Sequence, residues 1–588
     1  MRNLWKFLFL SILVVITSSC NIDDVITTEL PPKIILDSET GIYTVKHGRE
    51  ILIAPDYKNA ENAKYCWKMS GEVISTSPNL TFKKEKIGEY YITITVTTDS
   101  GSDEEEIRVN VVDLEIPTVT IAVSKKQTVT IGTTIKLHAS VRETSLPTTL
   151  VWDLNGEVVS DSSEYIFNAE AVGTYTITAT ATNNDGTYSD KVEIKVLNAD
   201  EIPFEWAFDK YSYHTVVGRK LLIAPSVLSK ENGINYKWSI EGVNDSICND
   251  SRLIFSAKSD GDYKITATAT YENDGNQITI TRKFDVNVYK EGIFYRAKSG
   301  SSKADWNKVY EYTPAPGQFI NELKTGGFDG SQTTPQAAIA YAEARMSETN
   351  ENGKPNPLWV SLGGFGGYIV VGFDHSINNS GNYDIGILGN SFNGSSEPGI
   401  VWVMQDENGD GLPNDTWYEL AGSESGKPET IRDYAVTYYR PNGAGMPVQW
   451  RDNQGNSGEI DYLKVYHSQE YYYPLWIKED SYTLTGTCLK ARNYDASGKG
   501  SYWINPHYEW GYVDNWSPID RLSNSDNANA ESNANHFKIS NAIDFESNPV
   551  HLEYIDFVKV QVGVNAKSGW LGELSTEVFG FYDYNMKK

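Results

Sequence analysis

Apolar and polar residues alternate strictly along GEYYITITVTT from Gly88, GTYTITATATN from Gly173 and GDYKITATATY from Gly261. A period of two sends every second side chain to the same face, so each stretch predicts a β-strand buried on one side. A polar turn follows each one (TDSGSDE, NNDGTYS, ENDGNQ), and then an alternating partner strand such as KVEIKVLN. Upstream of each pair lies a tryptophan in a similar setting: Trp67 in YCWKMSG, Trp152 in LVWDLNG and Trp238 in YKWSIEG, spaced 85 and 86 residues apart. Units of this length fit a seven-stranded sandwich, with the tryptophan on a central strand and the G-x-Y tyrosine at a corner.

From about Gly292 the rhythm stops, and glycine and aromatic residues become denser. One helix is signalled by Thr334 as N-cap and Pro335 at the first helical position, ahead of QAAIAYAEARMSE. Most of the remainder reads as strands, among them GYIVVGF, YDIGILGN, GIVWVMQ, TWYELAG, YAVTYYR and FVKVQVGV. A single helix on nearly 300 residues of strand pattern predicts a large decorated sandwich or jelly roll.

Charge narrows the function. The 588 residues carry 78 acidic and 51 basic side chains, a net of −27. No basic stripe is available to offset phosphate repulsion, which argues against a nucleic-acid partner. The start of the chain reads as a targeting segment. MRNLWK is basic, FLFLSILVVI is apolar but short for a membrane span, and TSSC ends in Cys20. This resembles a bacterial lipoprotein signal with Cys20 as the lipidated residue. Asp23 and Asp24 resemble the export signal of lipoproteins on the outer face of the outer membrane. Cys66, Cys248 and Cys488 are too few and too far apart for a disulfide framework or a zinc site, and are expected as buried free thiols.

Two stretches carry candidate chemistry. QDENGDGLPND alternates oxygen-bearing Asp406, Asn408 and Asp410 before Gly411, as the first half of a calcium loop does. Leu412 would offer its carbonyl, and Asp415 or Glu419 the last carboxylate. Asp, Asn and Gly are equally what a tight hairpin requires, so the alternative is a plain turn. If calcium binds, it is a structural staple. The second stretch is the aromatic run between Tyr438 and Trp516. Tyr438, Tyr439, Trp450, Tyr472, Tyr473, Trp476, Trp503, Tyr508, Trp510, Tyr512 and Trp516 sit beside Pro, Gly and Asn, which places them in loops. Rigid aromatic loops suit flat ligands with polar rims, such as sugars or a corrin macrocycle. Packing over a sandwich edge is the competing reading. GGFGG precedes a strand rather than opening a helix, and the histidines are scattered, so no catalytic motif stands out.

The three repeats resemble the PKD-like immunoglobulin-type domain of bacterial surface proteins. In the last domain, SLGGFGGYIVVGFDHSINNSGNYDIGILGNSF, EPGIVWVMQDENGDGLPNDTWYELAGSE and IDFVKVQVGVNAKSGWLGELSTEVFGFYDY resemble the C-terminal domain of Bacteroidetes cell surface proteins. Some of these are the BtuH-type lipoproteins of vitamin B12 uptake loci. The expected organisation is a signal at 1–20, a linker at 21–32, PKD-like domains at 33–114, 115–200 and 201–290, and a ligand-binding β-rich domain at 291–588. The repeats would form a stalk. The resemblance implies a non-enzymatic lipoprotein facing the cell exterior. It would bind cobalamin as a ligand, without a required cofactor, and would deliver it to a TonB-dependent transporter or another surface lipoprotein. A carbohydrate-binding surface protein is the alternative. An adhesin or structural protein comes third, and a glycoside-active enzyme is a distant fourth.

Overall fold

The computed structural model describes residues 30–587 apart from 143, 199–203, 230–232, 244, 274–275 and 523–533. The signal segment and Cys20 therefore lie outside the described residues. The chain divides into two compact units, one ending at Glu115 and one beginning at Ile116. Among the described residues no helix is long and apolar enough to cross a membrane.

Each repeat is an immunoglobulin-like sandwich built as the alternation predicts. The paired strands Gly88–Thr98 and Gly101–Val112 of the first repeat correspond to Gly173–Asn183 and Gly186–Leu197 in the second, and to Gly261–Asn273 and Asn276–Tyr289 in the third. Trp67, Trp152 and Trp238 are fully buried at the centre of their sandwiches. Their indole N–H groups donate to the carbonyls of Ser77, Ser162 and Asp250, so no donor is lost on burial. The corner tyrosines Tyr90, Tyr175 and Tyr263 each donate to the carbonyl four residues upstream. A short strand pairs in parallel with the last strand of each repeat, as Ile42–Lys46 does with Gly101–Val112.

The C-terminal domain centres on an antiparallel sheet of six strands, in the order Lys308–Thr313, Tyr368–Asn378, Tyr554–Val562, Gly399–Met404, Trp417–Leu420, Ala542–Ile543. One face supplies Val371, Val401, Val403, Leu420, Val558 and Val560 to the main core. Helix Pro335–Met346 contributes Ala338, Tyr341, Ala342 and Met346 to the same core, with Thr334 accepting from the Ala337 amide at 3.2 Å as the N-cap. A second sheet of four strands, Ser457–Ile460, Val448–Asp452, Ile431–Tyr439 and Ser481–Cys488, closes a smaller core around Tyr434, Val436 and Tyr438.

The stalk expectation fails for the second and third repeats, because both pack against the C-terminal domain. In the second, Tyr188 donates to the Asn442 carbonyl at 2.9 Å, and the Asn442 side chain donates to the Val119 carbonyl at 3.1 Å. In the third, Lys210 donates to the Asn414 carbonyl at 2.8 Å, and Lys220 pairs with Glu546. Cys66, Cys248 and Cys488 are unpaired, yet half-buried rather than enclosed.

Candidate functional site

Six of the eleven candidate aromatics are core residues. Tyr438, Tyr472, Tyr473, Trp476, Tyr508 and Tyr512 are all buried. The hydroxyls of Tyr438, Tyr472, Tyr473 and Tyr508 donate to the carbonyls of Phe365, His467, Glu479 and Lys490, and that of Tyr512 accepts from the Glu424 amide. Their neighbouring Pro, Gly and Asn residues suggested loops. The segments instead pair into the four-stranded sheet or fold back under it, and the rings fill the space enclosed. Trp476 sits in the main core beside Phe328. These six cannot offer a face to a ligand.

Tyr439, Trp450, Trp503, Trp510 and Trp516 remain half-buried and are not brought together. Trp516 lies beneath the Arg521 guanidinium, 3.1 Å from its ring centre. Trp503 packs against Gly569, where a Cβ would come within 2.4 Å of the indole nitrogen. Trp510 lines a small cavity with Tyr383 and His536.

Trp450 is the aromatic candidate that opens on a sizeable space. It lies in a cleft of about 620 Å³ where the second repeat meets the C-terminal domain. Trp450 stands opposite Gly458 across paired strands, and a Cβ at Gly458 would come within 2.5 Å of the indole ring. Glycine there lets the ring lie flat along the strand. The rim carries charges of both signs: Lys136 pairs with Glu164 at 2.7 Å, and Lys567 with Asp461 at 2.8 Å. Arg451 donates through one nitrogen to the Lys136 carbonyl at 3.0 Å, which ties the second repeat to the cleft.

Two groups in this cleft are incompletely satisfied among the described residues, the Arg451 Nε and the Glu573 carboxyl. Glu573 accepts from the Gln318 amide at 2.7 Å through one oxygen, while its other oxygen is buried without a partner. Burial pushes its carboxyl up to about 8, so at neutral pH it is mostly protonated and can donate. A half-open cleft at a domain joint, with one flat aromatic floor and a few convergent polar groups, is where small ligands are ordinarily held. Sequence reasoning found Trp450 but missed Arg451, Asn565, Lys567 and Glu573, which lie in stretches that read as scaffold.

The Asp-rich loop is held by a dense set of hydrogen bonds. Asp406 accepts from the Gly409 and Gly411 amides at 2.7 and 3.0 Å. Asp410 accepts from the Leu412 amide and from the side chains of Asn408 and Asn414, all within 2.9 Å. The Leu412 carbonyl accepts from the Asn414 amide. Asp415 accepts from the Glu407 amide at 2.7 Å, and burial raises its carboxyl to about 7. Glu419 points elsewhere, accepting from Thr487 at 2.5 Å and pairing with Arg432. The loop's side-chain oxygens accept from its own amides and asparagine side chains. Among the described residues, three acidic side chains converge within 4.8 Å only at Glu397, Asp514 and Glu577. The neighbouring Glu407 is completely buried and accepts from Arg219 of the third repeat at 3.0 Å. The loop is thus part of a domain joint.

A profile of the PKD-like domain matches residues 31–98. Among solved structures, the chain is similar to the fibronectin(III)-like modules of Clostridium thermocellum CbhA, at 19% identity over 29% of this chain and 98% of that one, with a TM-score of 0.18. It is also similar to the titin I-band fragment I67–I69, at 14% identity over 44% of this chain and 99% of that one, with a TM-score of 0.21. Immunoglobulin domains 1–5 of Sidekick-1 match at 14% identity over 45% of this chain and 60% of that one, with a TM-score of 0.20. No curated protein matches the chain.

Proposed function

We propose that the chain is a non-enzymatic surface lipoprotein whose C-terminal domain captures cobalamin and passes it to a TonB-dependent transporter. In this reading Cys20 carries the lipid, the outer membrane holds the anchor, and the protein faces the exterior. The Trp450 cleft is the observation that supports it most. A flat indole floor matches one face of a macrocycle, and a rim of Lys, Glu, Asp and Asn groups matches its peripheral amides. Placement at a domain joint lets the second repeat contribute Lys136 and Arg451 contribute the tie between the walls.

Calorimetry of the full chain with cyanocobalamin tests this directly. Binding should be measurable with the wild type and fall about tenfold or more with Trp450→Ala, as for a buried aromatic anchor. Absence of heat at micromolar protein and ligand, in a sample that melts cooperatively, would overturn the reading.

A further inference from the structure

The outward face of the six-stranded sheet carries a second set of polar groups. Across five neighbouring strands, Glu311 stands opposite Val370, Val370 opposite Lys559, Lys559 opposite Trp402, and Trp402 opposite Glu419. Alternation puts the core valines on the other face, so this row faces away from the main core. The ammonium of Lys559 lies 4.8 Å from the Trp402 ring centre, 4.9 Å from Trp417 and 5.7 Å from Tyr368.

Three aromatic rings thus surround an ammonium that makes neither an ion pair nor a hydrogen bond among the described residues. Cation–π attraction offsets only part of the cost of removing that charge from water. Burial accordingly draws the amine down to about 8. A methionine would fill the same space without this cost, so packing alone does not account for a lysine here. The indole N–H of Trp402 is buried without an acceptor as well.

Lys559, Glu311, Tyr368 and Trp417 line an open groove of about 560 Å³, walled by Tyr482, Thr483, Leu484 and Thr485 of the neighbouring sheet. Its volume falls in the range of roughly 300–1,000 Å³ typical of small-ligand sites. Charge decides the class of ligand. Among the lining residues Lys559 supplies one cation and Glu311 one carboxyl, while Glu419, outside the lining, is already paired with Arg432. An anion would meet Glu311, and an organic cation would meet Lys559. A neutral ring rich in hydroxyls meets neither difficulty. Its hydroxyls can accept from Lys559 and donate to Glu311, which among the described residues accepts only from the Tyr368 hydroxyl at 3.0 Å. The apolar C–H face of such a ring lies against an indole.

We propose that this groove is a binding site for a neutral pyranose sugar, with Trp417 as the stacking platform and Lys559 and Glu311 as the hydroxyl partners. The site is separate from the Trp450 cleft and does not depend on what that cleft holds. It gives the surface domain a means of holding a neutral glycan.

The test is an array of neutral and uronate-bearing oligosaccharides probed with the full chain, followed by calorimetry on the strongest neutral ligand. Neutral glycans should bind, and both Trp417→Ala and Lys559→Met should weaken that binding about tenfold or more. Lys559→Met keeps the stem volume and removes the charge, so its melting temperature should hold or rise while binding falls. Trp450→Ala should leave glycan binding within twofold of the wild type, and Lys559→Met should leave any cyanocobalamin binding unchanged. No neutral glycan bound at millimolar concentration, binding restricted to uronates, or affinity unchanged in both groove variants would each overturn the proposal.

Discussion

The Arg219 guanidinium of the third repeat donates to the Glu407 carboxylate of the C-terminal domain at 3.0 Å, with both side chains withdrawn from water. Glu291 pairs with the same guanidinium from its other side. Burial raises the Glu407 carboxyl to about 8, and Arg219 opposes that rise. Removing Arg219 leaves Glu407 buried without its donor and Glu291 without its partner, which costs more than forming the pair gains. Arg219→Ala should therefore lower stability by about 3–5 kcal/mol. Arg219→Met combined with Glu407→Leu should recover much of the loss. Denaturant unfolding of the three proteins checks this, and additive single-site losses would show that the two groups are not coupled.

Asp410 measures whether the adjoining loop needs an ion. Its carboxylate is held below the usual range: burial acts against this, but hydrogen bonds from Asn414, Asn408 and the Leu412 amide prevail. Removing an acceptor of three donors at an exposed turn should cost about 1–2 kcal/mol. Asp410→Ala should lower the melting temperature equally in calcium and in chelator. A loss seen only in calcium would restore the loop as a calcium site.

The three sandwiches were legible because their information is local. A strand such as GTYTITATATN states its buried face in its own residues, and the tryptophan and corner tyrosine recur at fixed distances from it. The aromatic stretch was not legible in this way. Tyr438 and Trp450 are paired neighbours across two strands and pack on the same core, yet Tyr438 is fully covered while Trp450 stays half-buried and opens on a cleft. That difference depends on which long-range segments cover the sheet, and composition is blind to it. Trp402 was more accessible to reasoning. Val401 and Val403 flank it on the core face, so an alternating strand must turn that indole away from the main core. The role of Asp406 to Asp415 as a joint depends on Arg219, almost 200 residues away, and no local pattern carries it.

Packing and binding aromatics should separate by stability. Trp476 lies fully within the main core, next to Tyr312 and Phe328. Trp476→Ala should cost about 3–5 kcal/mol, as large core truncations do. Trp450→Ala removes a half-buried ring at an open cleft and should cost less than about 1.5 kcal/mol. Thermal melting of both variants checks the ordering, and a reversal would mean that Trp450 is structural.

The last prediction concerns pH. Glu397, Asp514 and Glu577 come from three separate segments and converge within 4.8 Å. Burial raises all three, and the Asp514 charge raises both glutamates further. Asp514 reaches about 7 even though the amides of Glu577, Asn390 and Ser391 pull it down. Glu573 adds to the rise at Glu397. A carboxyl with a raised value in the folded state binds its proton more tightly there than in the unfolded chain. Its contribution is fully present below the unfolded value of about 4.5 and is lost as pH climbs through the folded value. The wild type should therefore lose stability steadily between about pH 5 and pH 8. Lys559, drawn down to about 8, acts in the opposite sense only above that window. Glu397→Gln removes one titrating group without changing the shape of the side chain, and should flatten the decline. Its melting temperature should match the wild type near pH 5 and exceed it near pH 8, as measured by calorimetry across that range. Parallel pH profiles for the two proteins would mean that Glu397 titrates as an ordinary carboxylate and that the cluster is hydrated.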